Sequence, residues 1–413
     1  MSLMKMTRNE QINKDLIYNL TVKAEKPVVF RQFILDWPFC KWDEEKWISV
    51  FGEKVIPFRC CKKNLLSNEP CWERQCQIKN TTFKRFIESI SCKNEWMYFD
   101  YKYLHQWFKS DNEILTKLSW EKFGYPKKGP SDTTLWVGSE GAHTPAHQDT
   151  YGFNIVAQVH GKKRWILFPP ETPGLRPTRV PYEESSVYSE LNFYCPSEIS
   201  DFNGLSGGYM VELCAGDALF VPRGWWHYVQ NLDPLNISFN IWVPHEKDKS
   251  TLVSEALIKI FVAQICKDLP QETAKLLINP NEDDLSDTPL AVLFLQLETV
   301  AKAYLDHKRK TRRCKRQRTE EDIATNSLDE FDINTILDDK NNSIEYVPKI
   351  SNFDLIRLLE NNVKEYTSDI GTTDEADGVT SSLCLTKALI DSFSQSNVID
   401  IVKQNLFSRL GDM

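Results

Sequence analysis

The chain has 413 residues, a formal net charge of −8 at pH 7 and a hydrophobic fraction of 41%. This length suits one large domain with an appendage, or two domains, and the hydrophobic fraction is enough for a sizeable core. The acidic balance argues against nucleic acid as a partner, and no apolar run suggests a signal peptide or a membrane span. The eleven cysteines follow no disulfide framework, which is typical of a reducing intracellular compartment.

The N-terminal part, residues 25–123, is predicted to be mixed α/β. Residues 27–34 (PVVFRQFI) read as a short strand that leads into a helix. Residues 44–52 and 81–90 space their apolar side chains as helices do, and residues 95–104 (EWMYFDYKYL) suggest a strand followed by a short helix.

The middle part, residues 124–247, consists of short segments rich in β-branched and aromatic residues. Gly and Pro separate these segments at regular intervals. Such a pattern predicts an antiparallel sandwich or a jelly-roll barrel. The segments are residues 133–141, 153–161, 162–170, 208–232 and 236–244.

The C-terminal part, residues 248–413, shows helical spacing in several segments and is predicted to serve partner binding or self-association. A basic run at 308–318 is followed by an acidic and polar segment, which predicts an exposed charged linker over about 306–345. The basic run itself is interpreted first as a solvated charge block. A nuclear import signal or a nucleic-acid contact is the alternative.

The segment HTPAHQDT, residues 143–150, places His147 and Asp149 two positions apart. In a β-strand, residues two apart point to the same face, so one imidazole and one carboxylate can be presented together. His227, at the end of GDALFVPRGWWH, could supply a third ligand from another strand. Two histidines and one carboxylate on one face form the facial triad of non-haem iron(II) oxygenases.

Each histidine also has a simpler interpretation. His147 could cap a strand at the surface, and His227 could be a hydrogen-bonded core residue; their shared context favours the metal site. His143 is either a further polar group at the mouth of the site or simply exposed. His160 is expected to face solvent.

Two long segments carry a family resemblance. Residues 144–170 (TPAHQDTYGFNIVAQVHGKKRWILFPP) and 216–242 (GDALFVPRGWWHYVQNL…NISFNIW) resemble JmjC-domain 2-oxoglutarate oxygenases, in the group of the asparaginyl hydroxylase that inhibits the hypoxia-inducible transcription factor. The resemblance covers about residues 25–247. It implies a mainly β fold with a double-stranded β-helix (cupin or jelly-roll) core at 124–247 and flanking helices. The helical C-terminal region is predicted from residue spacing alone.

The resemblance also implies the cofactors and their ligands. His147, Asp149 and His227 match the residues that bind Fe(II). Lys163 matches the residue that binds the distal carboxylate of the cosubstrate 2-oxoglutarate, and alternation along the strand turns it inward with Trp165 and Leu167. Four further residues match positions beside the cosubstrate: Thr144, Asn154, Tyr98 and Asn240.

Several functions remain open at this point. The first is a dioxygenase that hydroxylates a protein side chain. The second is a JmjC scaffold with little or no turnover that binds a small heat-shock protein in the stress response. Histone demethylation and RNA modification fit less well, and the loop 171–194 departs from the family pattern, so the substrate is not fixed. We expect a cytoplasmic protein, with nuclear entry through the basic run as an alternative, that could form a homodimer through its C-terminal helices.

Overall fold

Two antiparallel β-sheets form the centre of the molecule. The computed structural model describes residues 14–63, 66–90, 94–177, 186–270, 273–274, 277, 288–317, 337, 343–366 and 381–411. The strands are β1 (Val28–Phe30), β2 (Val55–Lys62), β3 (Gln77–Thr82), β4 (Glu95–Tyr103), β5 (Thr133–Gly138), β6 (His143–Asp149), β7 (Phe153–His160), β8 (Lys163–Phe168), β9 (Ser186–Tyr188), β10 (Tyr209–Leu213), β11 (Ala218–Val221), β12 (Trp226–Asn231), β13 (Asn236–Val243) and β14 (Ile344–Tyr346).

The two sheets lie face to face. The larger has nine strands in the order β14-β1-β11-β7-β13-β5-β4-β2-β3, and the smaller has five in the order β10-β8-β12-β6-β9. Side chains of both sheets, such as Val156, Leu219, Trp165 and Leu167, share one buried cluster. The predicted jelly-roll core is therefore confirmed.

Helices surround this core. They are α1 (Lys14–Lys23), α2 (Glu44–Phe51), α3 (Phe83–Ser89), α4 (Leu104–Trp107), α5 (Glu113–Lys117), α6 (Asp248–Cys266), α7 (Leu290–Gln317), α8 (Asn352–Tyr366), α9 (Ser381–Ser394) and α10 (Ser396–Gly411). Local chemistry fixes some of their ends: the Asp43 carboxylate accepts a hydrogen bond from the backbone N–H of Lys46 at 2.8 Å and so caps α2. None of the helices described is both long and apolar enough to cross a bilayer.

Successive side chains of β13 point alternately to the hydrophobic core and to the cavity. Ile237, Phe239 and Ile241 point outward into a large cluster that the N-terminal helices and strands complete. Full burial of such a side chain contributes about 1.5–3 kcal/mol. The residues between them point inward and line a cavity between the two sheets. The outer face of this sheet thus provides stability, while its inner face is available for polar groups.

The C-terminal region forms the predicted helices but also contributes to the barrel. Strand β14 pairs with β1. Leu355 and Leu359 of α8 are buried in a cluster with side chains of the smaller sheet. The linker predicted over about 306–345 needs correction, because α7 continues through the basic run to Gln317 and residues 344 and 345 lie in β14. Residues 318–336 and 338–342 lie outside the described residues.

Candidate metal centre

His147, Asp149 and His227 converge at one end of the smaller sheet. Strands β6 and β12 are antiparallel neighbours, and His147 lies directly opposite His227. The Nε2 atom of each histidine lies 3.8 Å from an oxygen of the Asp149 carboxylate. All three ligand atoms lie within 4.8 Å of one another, so they are close enough to bind one ion. The predicted triad is thus brought together by strand pairing.

Hydrogen bonds orient each of the three side chains. The Nδ1 atom of His147 lies 2.8 Å from the carbonyl oxygen of Pro145, and that of His227 lies 2.9 Å from the carbonyl oxygen of Trp225. Because a carbonyl oxygen only accepts, each Nδ1 carries the proton and each Nε2 keeps its lone pair. The indole N–H of Trp242 donates to Oδ2 of Asp149 at 3.0 Å. These contacts prepare three donor atoms for a metal.

The ionisation of His147 also suits a metal ligand. Burial, together with the neighbouring imidazole of His227, lowers the pKa of His147 to about 4. The ring is therefore neutral at physiological pH, which is the form that coordinates a metal. Two imidazoles and one carboxylate on one face are the donor set of non-haem iron(II) sites, so the residues present fit this ion.

A small cavity opens beside the triad, between the two sheets. Lys163 lies at its inner end and is only 2% exposed. Its ammonium group donates to the hydroxyl of Ser238 at 2.8 Å and to the hydroxyl of Tyr98 at 3.4 Å. Burial lowers the pKa of Lys163 to about 7. Within the described part of the chain, no carboxylate forms an ion pair with Lys163, so the cavity offers this cation to an anionic ligand.

The strand register around Lys163 follows the predicted alternation. Trp165 and Leu167 are buried on the same side as Lys163. Lys162 and Arg164 point the other way, and Arg164 forms an ion pair with Glu212 at 2.9 Å. Lys163 is therefore the lysine of this strand that reaches the cavity.

The remaining predicted residues also lie in the cavity. The side chains of Tyr98 and Thr144 lie close to each other in the cavity wall. The amide nitrogen of Asn240 donates to the amide oxygen of Asn154 at 3.3 Å. All four line the cavity together with Lys163. Its inner end is thus lined by hydroxyl, amide and ammonium groups.

Comparison with known proteins agrees with this geometry. Residues 15–249 match the model of the cupin-like domain family, which is more than half of the chain. The chain belongs to the cupin-like family of JmjC-domain proteins. HSPB1-associated protein 1 of Homo sapiens is 37% identical over 310 residues, which cover 71% of this chain and 62% of that protein. Its homolog in Danio rerio is 38% identical over 290 residues, covering 66% and 64%.

A second group of cupin-like relatives is more distant. The lysine-specific demethylase JMJ30 of Arabidopsis thaliana is 28% identical over 232 residues, covering 54% of this chain and 51% of that protein. The JmjC domain-containing protein A of Dictyostelium discoideum is 25% identical over 256 residues, covering 58% and 97%. The chain spans a little over three fifths of the length of its HSPB1-associated relatives.

Some cavity residues of this cupin-like barrel were missed by sequence reasoning. They are Ser238, which accepts a hydrogen bond from Lys163, and the aromatic residues Trp136 and Trp242. A signal was present in NISFNIWV, because Ser238 and Trp242 stand two positions on either side of the predicted Asn240. The alternation of side chains along this strand predicts that both face the cavity with Asn240.

A bulge in β6 explains one residue that was misplaced. His147 lies opposite His227 and Thr144 lies opposite Val229, so three steps on β6 match two steps on β12. The extra residue turns Thr144 into the cavity and His143 out of it. His143 is 2% exposed and stacks on Tyr194 at 4.1 Å, so the expectation that it lies at the mouth or on the surface was wrong.

Proposed function

We propose that the protein is an Fe(II)- and 2-oxoglutarate-dependent dioxygenase that hydroxylates a protein side chain. The observation that carries this proposal is the pairing of two features in one cavity. The triad of His147, Asp149 and His227 lies beside it, and the buried cation of Lys163 lies at its inner end. A metal held for stability alone has no need of a buried cation that lacks a carboxylate partner.

The triad would hold iron(II), with the Nε2 atoms and the carboxylate as ligands. Bound iron would supply activation of O₂, coupled to the oxidative decarboxylation of 2-oxoglutarate to succinate and CO₂. The backbone carbonyls behind His147 and His227 would keep both rings oriented throughout. Trp242 would hold the Asp149 carboxylate in place through its N–H.

Lys163 would bind the distal carboxylate of 2-oxoglutarate. Its ammonium group donates to hydroxyl oxygens in the described structure, so it can turn to a carboxylate without breaking an ion pair. The hydroxyls of Tyr98 and Thr144 are near enough to donate to the same ligand. Charge-assisted hydrogen bonds of this kind are short and strong, and they would fix the orientation of the cosubstrate.

Aromatic side chains would exclude water from the reaction. The indole rings of Trp136, Trp165 and Trp242 line the cavity, and Trp165 stacks near the ring of His227 at 5.7 Å. With water excluded, fewer water molecules compete for the reacting atoms, and charges inside the cavity interact more strongly than they would in water.

The names of the HSPB1-associated relatives favour a second candidate. The protein could be a JmjC scaffold with little or no turnover that binds a small heat-shock protein in the stress response. Unlike the first proposal, this one gives the Lys163 cation no ligand.

Anaerobic titration of the full chain with Fe(II) and 2-oxoglutarate tests the first proposal. We expect the weak visible charge-transfer band of the iron–2-oxoglutarate chelate, and its loss in Asp149→Ala. In air, the wild type should convert 2-oxoglutarate to succinate, and a protein substrate should gain one oxygen atom. The control is His160→Ala, which lies outside the cavity. Metal binding without any 2-oxoglutarate binding would overturn the dioxygenase proposal and leave the scaffold.

A further inference from the structure

Three cysteines of the N-terminal part meet beside strands β2 and β3. Cys61 lies near the end of β2, Cys76 immediately precedes β3, and Cys71 lies in the loop between these strands. The sulfur of Cys71 is 3.1 Å from that of Cys61 and 3.6 Å from that of Cys76. All three sulfurs lie within 4.8 Å of one another. The fold of this loop therefore brings three thiols of one short stretch of sequence together.

We propose that Cys61, Cys71 and Cys76 bind a zinc ion. Zinc–sulfur bonds of about 2.3 Å in a tetrahedron place neighbouring sulfurs about 3.8 Å apart, and the observed spacing needs only small adjustments to reach this value. Thiolates are the preferred ligands of soft ions such as zinc. A disulfide would join two of the sulfurs at about 2.0 Å and give the third no role. A triangle of three sulfurs is instead the arrangement of a shared ion.

A buried cation lies beside the thiol cluster. The guanidinium of Arg59 is buried and donates to the sulfur of Cys76 at 3.7 Å, while Asp100 fixes it from the other side at 2.7 Å. A cation this close to a sulfur favours the thiolate, which is the form that binds a metal.

The cluster also offers a route for the ion. Cys71 is buried, but Cys61 and Cys76 are only half-buried, so solvent can reach one side. Among the described residues, no fourth His, Cys, Asp or Glu joins the group. A water molecule would complete the tetrahedron, as it does in zinc sites with three protein ligands.

Zinc binding here would fix one wall of the candidate iron centre. Trp72, next to Cys71, is 2% exposed and meets the ring of Tyr188 edge-on at 5.9 Å. Tyr188 in turn lies 5.6 Å from the ring of His147. One peptide bond and two ring contacts therefore connect the thiol cluster to the triad, and an ion at the cluster would hold Trp72 in place. The zinc site itself does not depend on the proposed oxygenase activity.

Metal analysis of the full chain tests the site. The double variant His147→Ala/Asp149→Ala serves as background, because it removes the second group of possible metal ligands among the described residues. After anaerobic purification with zinc, we expect one zinc per chain in this background and its loss on adding Cys71→Ser. The matched control is Cys60→Ala, since Cys60 neighbours Cys61 but points into the hydrophobic core. Zinc content that is absent in the background, or unchanged by Cys71→Ser, would overturn the proposal.

A second measurement covers the case in which Cys71→Ser does not fold. Cadmium titrated into the zinc-free double variant, whose cysteines are all intact, should give the ultraviolet thiolate-to-cadmium charge-transfer band at one equivalent. Thiol titration of the same sample, denatured under anaerobic conditions, should count all eleven cysteines. Two missing thiols together with no cadmium band would identify a disulfide and sink the metal site.

Discussion

Replacing Lys163 with Met isolates the contribution of one buried charge to cosubstrate binding. Methionine keeps most of the length of the side chain but has no ammonium group, so the cavity keeps its shape. In the native protein this ammonium has only the hydroxyls of Ser238 and Tyr98 as partners. In the variant these hydroxyls alone would remain for the distal carboxylate of 2-oxoglutarate.

The expected loss follows from this geometry. A hydrogen bond to a charged group contributes about 1.5–3 kcal/mol, and a buried charge without a partner costs several kcal/mol before water and neighbours compensate. With two hydroxyls left to compensate, we expect a loss of about 1.5–4 kcal/mol. This corresponds to roughly a ten- to thousandfold higher Kd for 2-oxoglutarate. The affinity for the metal should change little, because Lys163 is not a ligand.

Lys162→Met is the matched control. The Lys162 side chain is 39% exposed and lies 4.0 Å from Glu212, an exposed pairing that contributes about 0–1 kcal/mol. Its 2-oxoglutarate affinity should stay within about fivefold of the wild type. Calorimetry with Mn(II) in place of iron measures metal and cosubstrate binding without turnover. Wild-type affinity in Lys163→Met would refute the assignment of this cation to the cosubstrate.

Three further predictions concern the shell of the triad, pH and the C-terminal region. Trp242→Phe removes the N–H that donates to Asp149, so metal affinity in a competitive titration should fall about ten- to hundredfold. Because burial lowers the pKa of free Lys163 to about 7 and a bound carboxylate favours its ammonium form, 2-oxoglutarate binding takes up a proton above that pH. Calorimetric Kd values should therefore rise about tenfold per pH unit above pH 7. Leu359→Ala, at a fully buried site, should lower the free energy of unfolding by about 2–5 kcal/mol in a denaturant titration.

Each of these has its own control. Trp136→Phe changes the cavity wall without touching Asp149, so it should leave metal affinity unchanged. An equal loss of metal affinity in both variants would contradict the inference that the Trp242 N–H supports the metal ligand. The pH slope should vanish in Lys163→Met, and a slope that persists there belongs to another group. Phe353→Ala, on the same helix as Leu359 but 73% exposed, should be nearly silent in denaturation.

The sequence was most informative where the chemistry repeats with the period of a strand. His147 and Asp149 share a face because they are two residues apart, and the alternation around Lys163 correctly separated it from Lys162 and Arg164. The strand that carries His227 could be predicted, because its segment is rich in β-branched and aromatic residues. These inferences rest on local geometry, which a single sequence carries directly.

Other features depend on pairings that no local pattern records. The bulge in β6 reversed the expected orientation of His143, because an extra residue in a strand has no signature in HTPAHQDT. The meeting of Cys61, Cys71 and Cys76 depends on how a loop folds back against β2. The pairing of β14 with β1 joins segments that are more than 300 residues apart. The charged residues around position 345 predicted a linker, and its short apolar pattern was too weak to indicate a strand.

The position of β14 late in the sequence has a consequence for folding during synthesis. Phe30 of β1 pairs with Ile344 of β14, more than 300 residues further along the chain. On the ribosome, the other strands of the barrel emerge first, and one edge of β1 stays open with its backbone groups unpaired. At about 5–20 residues per second, the hundred or so residues between β13 and β14 take roughly 5–20 s to synthesise. Throughout that interval the unpaired edge of β1 can pair with strands of other chains. The rate of translation therefore sets how long the nascent barrel is at risk of aggregation.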